Sequence, residues 1–187
     1  MTRVLKSMSQ LPQDQDGDVT SAVIFLHGYG ANGADLMGLA EVLADHMPGT
    51  LFLAPDAPET TVMAPMGLQW FPIPWIDGSS EEDSANGLRA ASEDLNAYLD
   101  GVMVDYDLLP EQVIIFGFSQ GTMMALNVAP RREDPVAGVV AFSGRLLQAE
   151  ALQDDVLSKM PILLVHGDDD EVVPIDALPH AAEALEA

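Results

Sequence analysis

The sequence predicts an α/β fold: a mostly parallel central sheet with helices on both faces. Two observations carry that prediction. Short apolar runs of strand length alternate with helix-length patterns from Ala22 onward, and repeated strand–helix–strand order lays parallel strands side by side. The runs are continuous rather than alternating apolar and polar, which fits strands covered on both faces. A third observation, Gly117-Phe118-Ser119-Gln120-Gly121 at one strand-to-helix junction, indicates where the chemistry belongs.

Taken in order, Val4 to Ser9 and Val19 to Ala22 flank the turn-rich Asp14-Gln15-Asp16-Gly17-Asp18 and predict an antiparallel hairpin. Ala22 to Leu26 (AVIFL) reads as a buried strand, Ala34 to Met47 as a helix and Thr50 to Ala54 as the next strand. The connection from Pro55 to Ser80 is long and carries Met63, Met66, Leu68, Trp70, Phe71, Ile73, Trp75 and Ile76, including both tryptophans. That much apolar surface argues against disorder, so the segment either covers an edge of the core or lines an apolar groove. Ser84 to Val104 reads as a helix, Val113 to Phe116 as a strand, and Gln120 to Ala129 as a helix stopped by Pro130. Val136 to Phe142 and Ile162 to His166 complete the strands, with a poorer helix over Ala149 to Lys159 and a last one over Ile175 to Ala187.

Length and composition narrow the function classes. A chain of 187 residues, 48% apolar, reads as one domain (1–187) able to bury a sizeable core. Seven basic against 30 acidic residues give a formal net charge of −23. Such a surface repels nucleic acid and anionic membrane, and it reads as a solubility surface of a kind suited to salty surroundings. Runs such as Glu81-Glu82-Asp83 are read as solvated faces. No apolar run approaches the ~20 residues that span a bilayer, and the N-terminus lacks the hydrophobic core of a signal peptide. Cytoplasmic is the expected location. Cysteine is absent, which excludes disulfides and thiolate metal sites. No feature specifies an oligomeric state.

The glycine-flanked serine follows a buried strand and opens a helix, the context of the nucleophile elbow of serine hydrolases. Ser119 must sit on a sharp turn so that its hydroxyl projects above the sheet, and side chains at Gly117 and Gly121 would collide as strand and helix close together. Such a serine needs oxyanion donors, a base and a group that orients the base. The backbone N–H of Gln120, next after the nucleophile, is one candidate donor. The N–H of Tyr29 is the other, in the glycine-rich Leu26-His27-Gly28-Tyr29-Gly30 that follows an earlier strand. For the orienting acid, Asp168-Asp169-Asp170-Glu171 stands at the end of the last strand, and spacing alone does not separate Asp170 from Asp168. Neighbouring carboxylates without further ligands do not make a metal site, and Asp14 to Asp18 fails as a calcium loop because the twelfth position is Phe25.

Five segments occur in a telling order: Leu26-His27-Gly28-Tyr29-Gly30-Ala31, Ala54-Pro55-Asp56-Ala57-Pro58, Gln69-Trp70-Phe71, Gly117 to Gly121, and His166 to Pro174. Together they resemble the phospholipase/carboxylesterase family of α/β-hydrolases, the group of acyl-protein thioesterase-like enzymes. The resemblance implies an α/β-hydrolase fold and a Ser-Asp-His triad without cofactor or metal. It implies substrates that are esters or thioesters of short to medium acyl chains, sometimes lysophospholipids. Matched onto this sequence, Ser119 is the nucleophile, Asp170 the triad acid, and Tyr29 and Gln120 the oxyanion donors, with Trp70 and Phe71 beside the acyl pocket.

The family carries its catalytic histidine in a glycine-flanked loop beyond one further strand, and no such segment follows Pro174 here. The expectation is a C-terminally truncated chain lacking its last strand, its histidine and a closing helix. An unpaired sheet edge and uncovered apolar faces would then favour self-association. Of the four histidines, His180 is the nearest substitute in sequence, His27 reads as a brace of the oxyanion loop, and His46 and His166 read as structural. The intact protein is therefore expected to be a serine carboxylesterase or thioesterase acting on small acyl substrates. The rival reading is a non-catalytic acyl-binding protein on the same fold.

Overall fold

The computed structural model describes residues 2–12, 18–62, 64 and 66–186. The turn expected at Asp14 to Gly17, Met63 of the long connection, and Ala187 lie outside the described residues. The strands are β1 (Ser7–Gln10), β2 (Ser21–Leu26), β3 (Thr50–Pro55), the short β4 (Glu59–Thr60) and β5 (Leu68–Gln69), then β6 (Val113–Phe118), β7 (Gly138–Phe142) and β8 (Ile162–Val165). The helices are α1 (Ala34–Leu43), α2 (Pro74–Asp77), α3 (Glu81–Asp105), α4 (Gln120–Val128), α5 (Ala149–Asp155) and α6 (Ala177–Glu186).

The main sheet runs β1-β3-β2-β6-β7-β8 and is parallel except at β1. The expected N-terminal hairpin does not form. β1 pairs antiparallel with β3, Ser7 opposite Pro55 and Gln10 opposite Phe52. The reason is occupancy: β2 already has β3 on one side and β6 on the other, so the open edge belongs to β3.

Period-2 geometry sorts the strand residues onto two faces. Ala22, Ile24, Leu26, Ile115, Val139 and Ala141 join the larger core, with Leu88, Leu95 and Leu99 of α3 and Met123 to Leu126 of α4. All nine residues of α4 are buried, so the helix that starts at the serine is the most enclosed in the fold. Val23, Phe25, Phe52 and Ala54 face the other way, under Ala40 of α1. On that face a row of rings crosses four strands: Phe52 on Phe25 (6.0 Å), Phe25 on Phe116 (5.6 Å) and Phe116 on Phe142 (5.3 Å).

Two helix ends differ from the pattern reading for identifiable reasons. α3 begins at Glu81, because Ser80 Oγ accepts the Asp83 N–H at 3.0 Å and caps it. Its first turn therefore holds Glu81, Glu82 and Asp83, where carboxylates complement the helix dipole. α5 stops at Asp155, since the N–H groups of Leu157 and Ser158 turn to the Pro130 carbonyl (2.9 and 3.2 Å). The long connection chiefly covers the core edge: Trp70, Phe71 and Ile73 are buried in the larger cluster, while Val62, Met66 and Trp75 remain exposed.

Beyond the ring row, no helix among the described residues covers the face of β7 and β8, and Leu163 is 57% exposed there. The outer edge of β8 is likewise unpaired among the described residues. Apolar surface of this kind promotes association. The chain is expected to bind an environment-sensitive dye such as ANS and to self-associate with rising concentration. Leu163→Lys should lower both, as read by dye fluorescence and light scattering; a variant that scatters and stains like the parent would refute this account.

Candidate active site

Four loops meet at the carboxyl ends of the adjacent strands β2, β6, β7 and β8, the edge where open α/β sheets form crevices. Ser119 lies at the end of β6 with φ 53° and ψ −113°. A non-glycine residue held there stores about 1–3 kcal/mol of backbone strain. Its surroundings impose the conformation. The Ser119 N–H is tied to the Phe142 carbonyl at 2.9 Å. A Cβ on Gly121 would run into the Leu26 carbonyl, and one on Gly117 into the backbone of Gly121 and Thr122. Thr122 Oγ1 sits 2.8 Å from the Gly117 carbonyl and 2.7 Å from that of Phe142, stitching strand, turn and helix together. Ser119 remains half-exposed while Gln120 beneath it is fully buried.

The loop after β2 comes within contact of the nucleophile. A Cβ on Gly28 would lie 3.2 Å from Ser119 Cβ. Neither the Tyr29 N–H nor the Gln120 N–H has a hydrogen-bond acceptor among the described residues. An oxyanion site requires two amides free of protein acceptors, which these are among the described residues. The Tyr29 side chain is held at its far end: Thr61 Oγ1 donates to its hydroxyl at 2.7 Å, and the hydroxyl faces Asp77 Oδ2 at 3.4 Å. Asp77 in turn accepts the N–H groups of Ile73 and Ser79.

A buried polar chain, absent from the pattern reading, ties these pieces together. The Gln120 carboxamide accepts the Trp70 N–H at 2.9 Å and donates to the Phe71 carbonyl at 2.7 Å. Trp70 Nε1 donates to the His27 carbonyl at 3.0 Å. His27 is fully buried; Nε2 accepts the Ala57 N–H at 3.0 Å, so Nδ1 carries the proton and donates to the Gly28 carbonyl at 2.8 Å. Burial pushes its imidazole below the ordinary histidine range, keeping it neutral. The sequence drew attention to the Gln120 backbone alone; a buried carboxamide that joins two distant loops leaves no local pattern.

Trp70 and Phe71, expected beside an acyl pocket, are 0% and 2% exposed. Neither presents surface to a ligand in this conformation. They form the floor under the elbow, and the exposed aromatics nearby in sequence are Phe118 and Trp75.

At the end of β8 the structure separates the acids that spacing left equivalent. Asp168 and Asp169 are exposed. Asp170 Oδ1 accepts the N–H groups of Val172 and Val173, each at 2.9 Å, and Oδ2 lies 3.5 Å from His166 Nε2. The Val173 and Val172 amides hold the Asp170 carboxyl below the usual carboxylate range. His166 Nε2 is itself 2.7 Å from the Val173 carbonyl. No histidine is hydrogen-bonded to Ser119 among the described residues, and His46 and His180 are exposed. Among the described residues no cluster of histidine and carboxylate groups is suited to a metal ion.

Two outcomes follow from this geometry. Gln120→Leu leaves a buried donor and a buried acceptor unpaired, each worth about 1–3 kcal/mol; a urea melt should show a loss of about 3 kcal/mol. An unchanged midpoint would mean that the loops are held by other contacts. Because the folded-state pKa of Asp170 is depressed, its stabilising contribution is present above the unfolded-state value and lost as pH falls through the folded one. The gap in unfolding free energy between the parent and Asp170→Ala should therefore close on acidification. A gap independent of pH would overturn that assignment.

A profile of the phospholipase/carboxylesterase family matches residues 13–187. Acyl-protein thioesterase 1 of Saccharomyces cerevisiae is 35% identical over 167 residues, covering 82% of this chain and 71% of that protein. Acyl-protein thioesterase 1 homolog 1 of Dictyostelium discoideum is 30% identical over 160 residues, covering 82% and 70%. Among solved structures, esterase PE8 superposes with a TM-score of 0.91 at 35% identity, over 98% of this chain and 84% of that one. A carboxylesterase of Bacillus cereus shares the fold at 19% identity, with a TM-score of 0.75 over 97% and 79%.

Proposed function

This chain belongs to the phospholipase/carboxylesterase family, and on that premise we propose that it cleaves carboxylic esters or thioesters of short-to-medium acyl chains through an acyl-enzyme on Ser119. It is a hydrolase of the carboxylesterase and thioesterase type. The observation that carries the Ser119 reading is a half-exposed serine on a positive-φ turn, with the N–H groups of Tyr29 and Gln120 free of acceptors among the described residues. An elbow of this kind has a purpose only if the serine attacks something.

In the proposed sequence, Ser119 Oγ adds to the acyl carbonyl, and the amides of Tyr29 and Gln120 receive the oxyanion. Each such donor is worth about 2.7–4 kcal/mol in the transition state. Collapse of the tetrahedral adduct expels the alcohol or thiol, and water then releases the acid from the acyl-enzyme. Asp170 is the proposed orienting acid, its carboxylate kept ionised by two amides. The base it would orient is a histidine, and the four in this sequence are poor candidates. His27 has both ring nitrogens engaged, His166 is held by Val173, and among the described residues neither His46 nor His180 is hydrogen-bonded to Ser119. We therefore place the base outside this 187-residue chain, which by itself should hydrolyse esters only weakly. Without one triad member, binding and the oxyanion site still give ~10³–10⁴-fold over water.

No helix among the described residues is long and apolar enough to cross a membrane, and the proposed substrates are small molecules met in the cytoplasm. The decisive experiment measures release of 4-nitrophenol from its butyrate ester together with the intact mass of the protein. The parent should gain a butyryl group and turn over slowly. Ser119→Ala should lose the adduct, while the weak turnover supported by binding and the oxyanion site alone changes little. A butyryl adduct that persists in Ser119→Ala would sink the mechanism, and acyl binding without an adduct in the parent would favour a non-catalytic binding protein.

A further inference from the structure

Three of the seven basic residues, Arg3, Arg131 and Arg132, are paired with carboxylates. Arg145 is not. Its guanidinium makes no ion pair and no hydrogen bond among the described residues; its carbon sits over the Trp75 ring, 5.5 Å from the centroid. Lys6, Arg89 and Lys159 are also without an ion pair among the described residues; what sets the exposed Arg145 apart is that it rests on an aromatic ring and follows directly on the backbone packed against Ser119.

Its position follows from the backbone. The Phe142 carbonyl accepts the Ser119 N–H. Ser143 turns the chain at φ 48°. Gly144 then lies so close to Thr122 and the Ser119 carbonyl that a Cβ there would collide with them. Arg145 is the next residue, and its side chain leaves from the wall of the elbow. The opposite wall is the segment bonded to Gln120 at Trp70 and Phe71, and Trp75 stands four residues further on, 57% exposed. The Arg145–Trp75 contact thus closes a ring of structure that begins and ends on the two sides of Ser119.

Resting on the Ser119 reading, we propose that Arg145, seated on Trp75, is the subsite for an anionic group carried by the ester, a carboxylate or a phosphate. A guanidinium resting over an indole keeps N–H donors free for solvent or ligand, and they can meet two oxygens of such a group at once. The indole holds the side chain in place, so little rotamer freedom is lost when the anion arrives. Distant carboxylates are screened beyond ~8–10 Å at ordinary ionic strength, so the local cation outweighs the overall charge. Arg145 also borders a cleft of about 230 Å³ with Val173, Pro174 and His180, which gives a substituent room to enter. Asp176 borders the same cleft and forms no ion pair with Arg145.

The test separates recognition from chemistry by using Ser119→Ala protein and calorimetric titration. Monomethyl succinate supplies a carboxylate, methyl phosphonoacetate a phosphonate, and dimethyl succinate a neutral counterpart. The anionic esters should bind at least tenfold more tightly than the neutral one, with an advantage that shrinks as salt rises. Whichever anion binds better identifies the group. In Ser119→Ala/Arg145→Gln that advantage should fall at least tenfold, and Ser119→Ala/Trp75→Leu should lose part of it. Equal affinity for the three esters, or a preference that survives Arg145→Gln, would overturn the proposal. Because no turnover is needed, a failure of the Ser119 mechanism would show in the hydrolysis assay and leave this result standing.

Discussion

Everything at this site depends on how closely three stretches of backbone approach around Ser119. The end of β6, the start of α4 and the loop after β2 come so near that Gly117, Gly121 and Gly28 have little or no room for a side chain. That approach forces the positive φ of Ser119. A strained residue persists only where its surroundings over-determine it, and here a fully buried α4 and the central strand pair β2–β6 do so. The positive φ leaves Ser119 half-exposed at the junction while Gln120, the next residue, is already buried in the helix.

Close approach alone does not fix the backbones of Tyr29 and Gln120 relative to each other, since they arise some ninety residues apart. That constraint comes from polar groups that are buried and paired. Gln120 reaches across to Trp70 and Phe71, Trp70 to His27, and His27 to Gly28, which leads into Tyr29. An unpaired member of such a chain is expensive in a low-dielectric interior, so the loops cannot drift singly. This explains why so large an aromatic segment is buried beneath the elbow: Trp70 and Phe71 act as structural floor, and their backbone groups are as important as their rings. Tyr29 is fixed from its other end through Thr61 and Asp77, so the same connection secures both sides of the donor loop.

The legibility of these features in the sequence follows their range. Continuous apolar runs placed β2, β3, β6, β7 and β8 within two residues, because burial on both faces writes itself into composition. The elbow was legible because its glycines answer a local steric demand at fixed spacing. β1 was not, since its partner is chosen by which sheet edge is left open, a property of the assembled sheet. Asp170 became distinguishable from Asp168 only when the Val172 and Val173 amides were seen to turn back onto it. The carboxamide of Gln120 and the Arg145–Trp75 contact join segments 50 and 70 residues apart, and neither has a periodicity or motif to announce it.

The acidic surface and the site obey different physics. A formal charge of −23 acts at long range and is weakened by salt, so it sets solubility and slows the approach of anions without deciding what binds. Around the ends of the strands the fields that matter are short-ranged: backbone N–H groups of Tyr29 and Gln120 without acceptors among the described residues, and the Asp170 carboxylate held by two N–H groups. Lys6, Arg89 and Lys159 also stand without an ion pair among the described residues, so what distinguishes Arg145 is its place: Ser143 and Gly144 carry the chain past the elbow, and the side chain rests against Trp75. The fold thus separates its global charge from its local contacts, and only the latter, acting within a few ångströms, discriminate one small molecule from another.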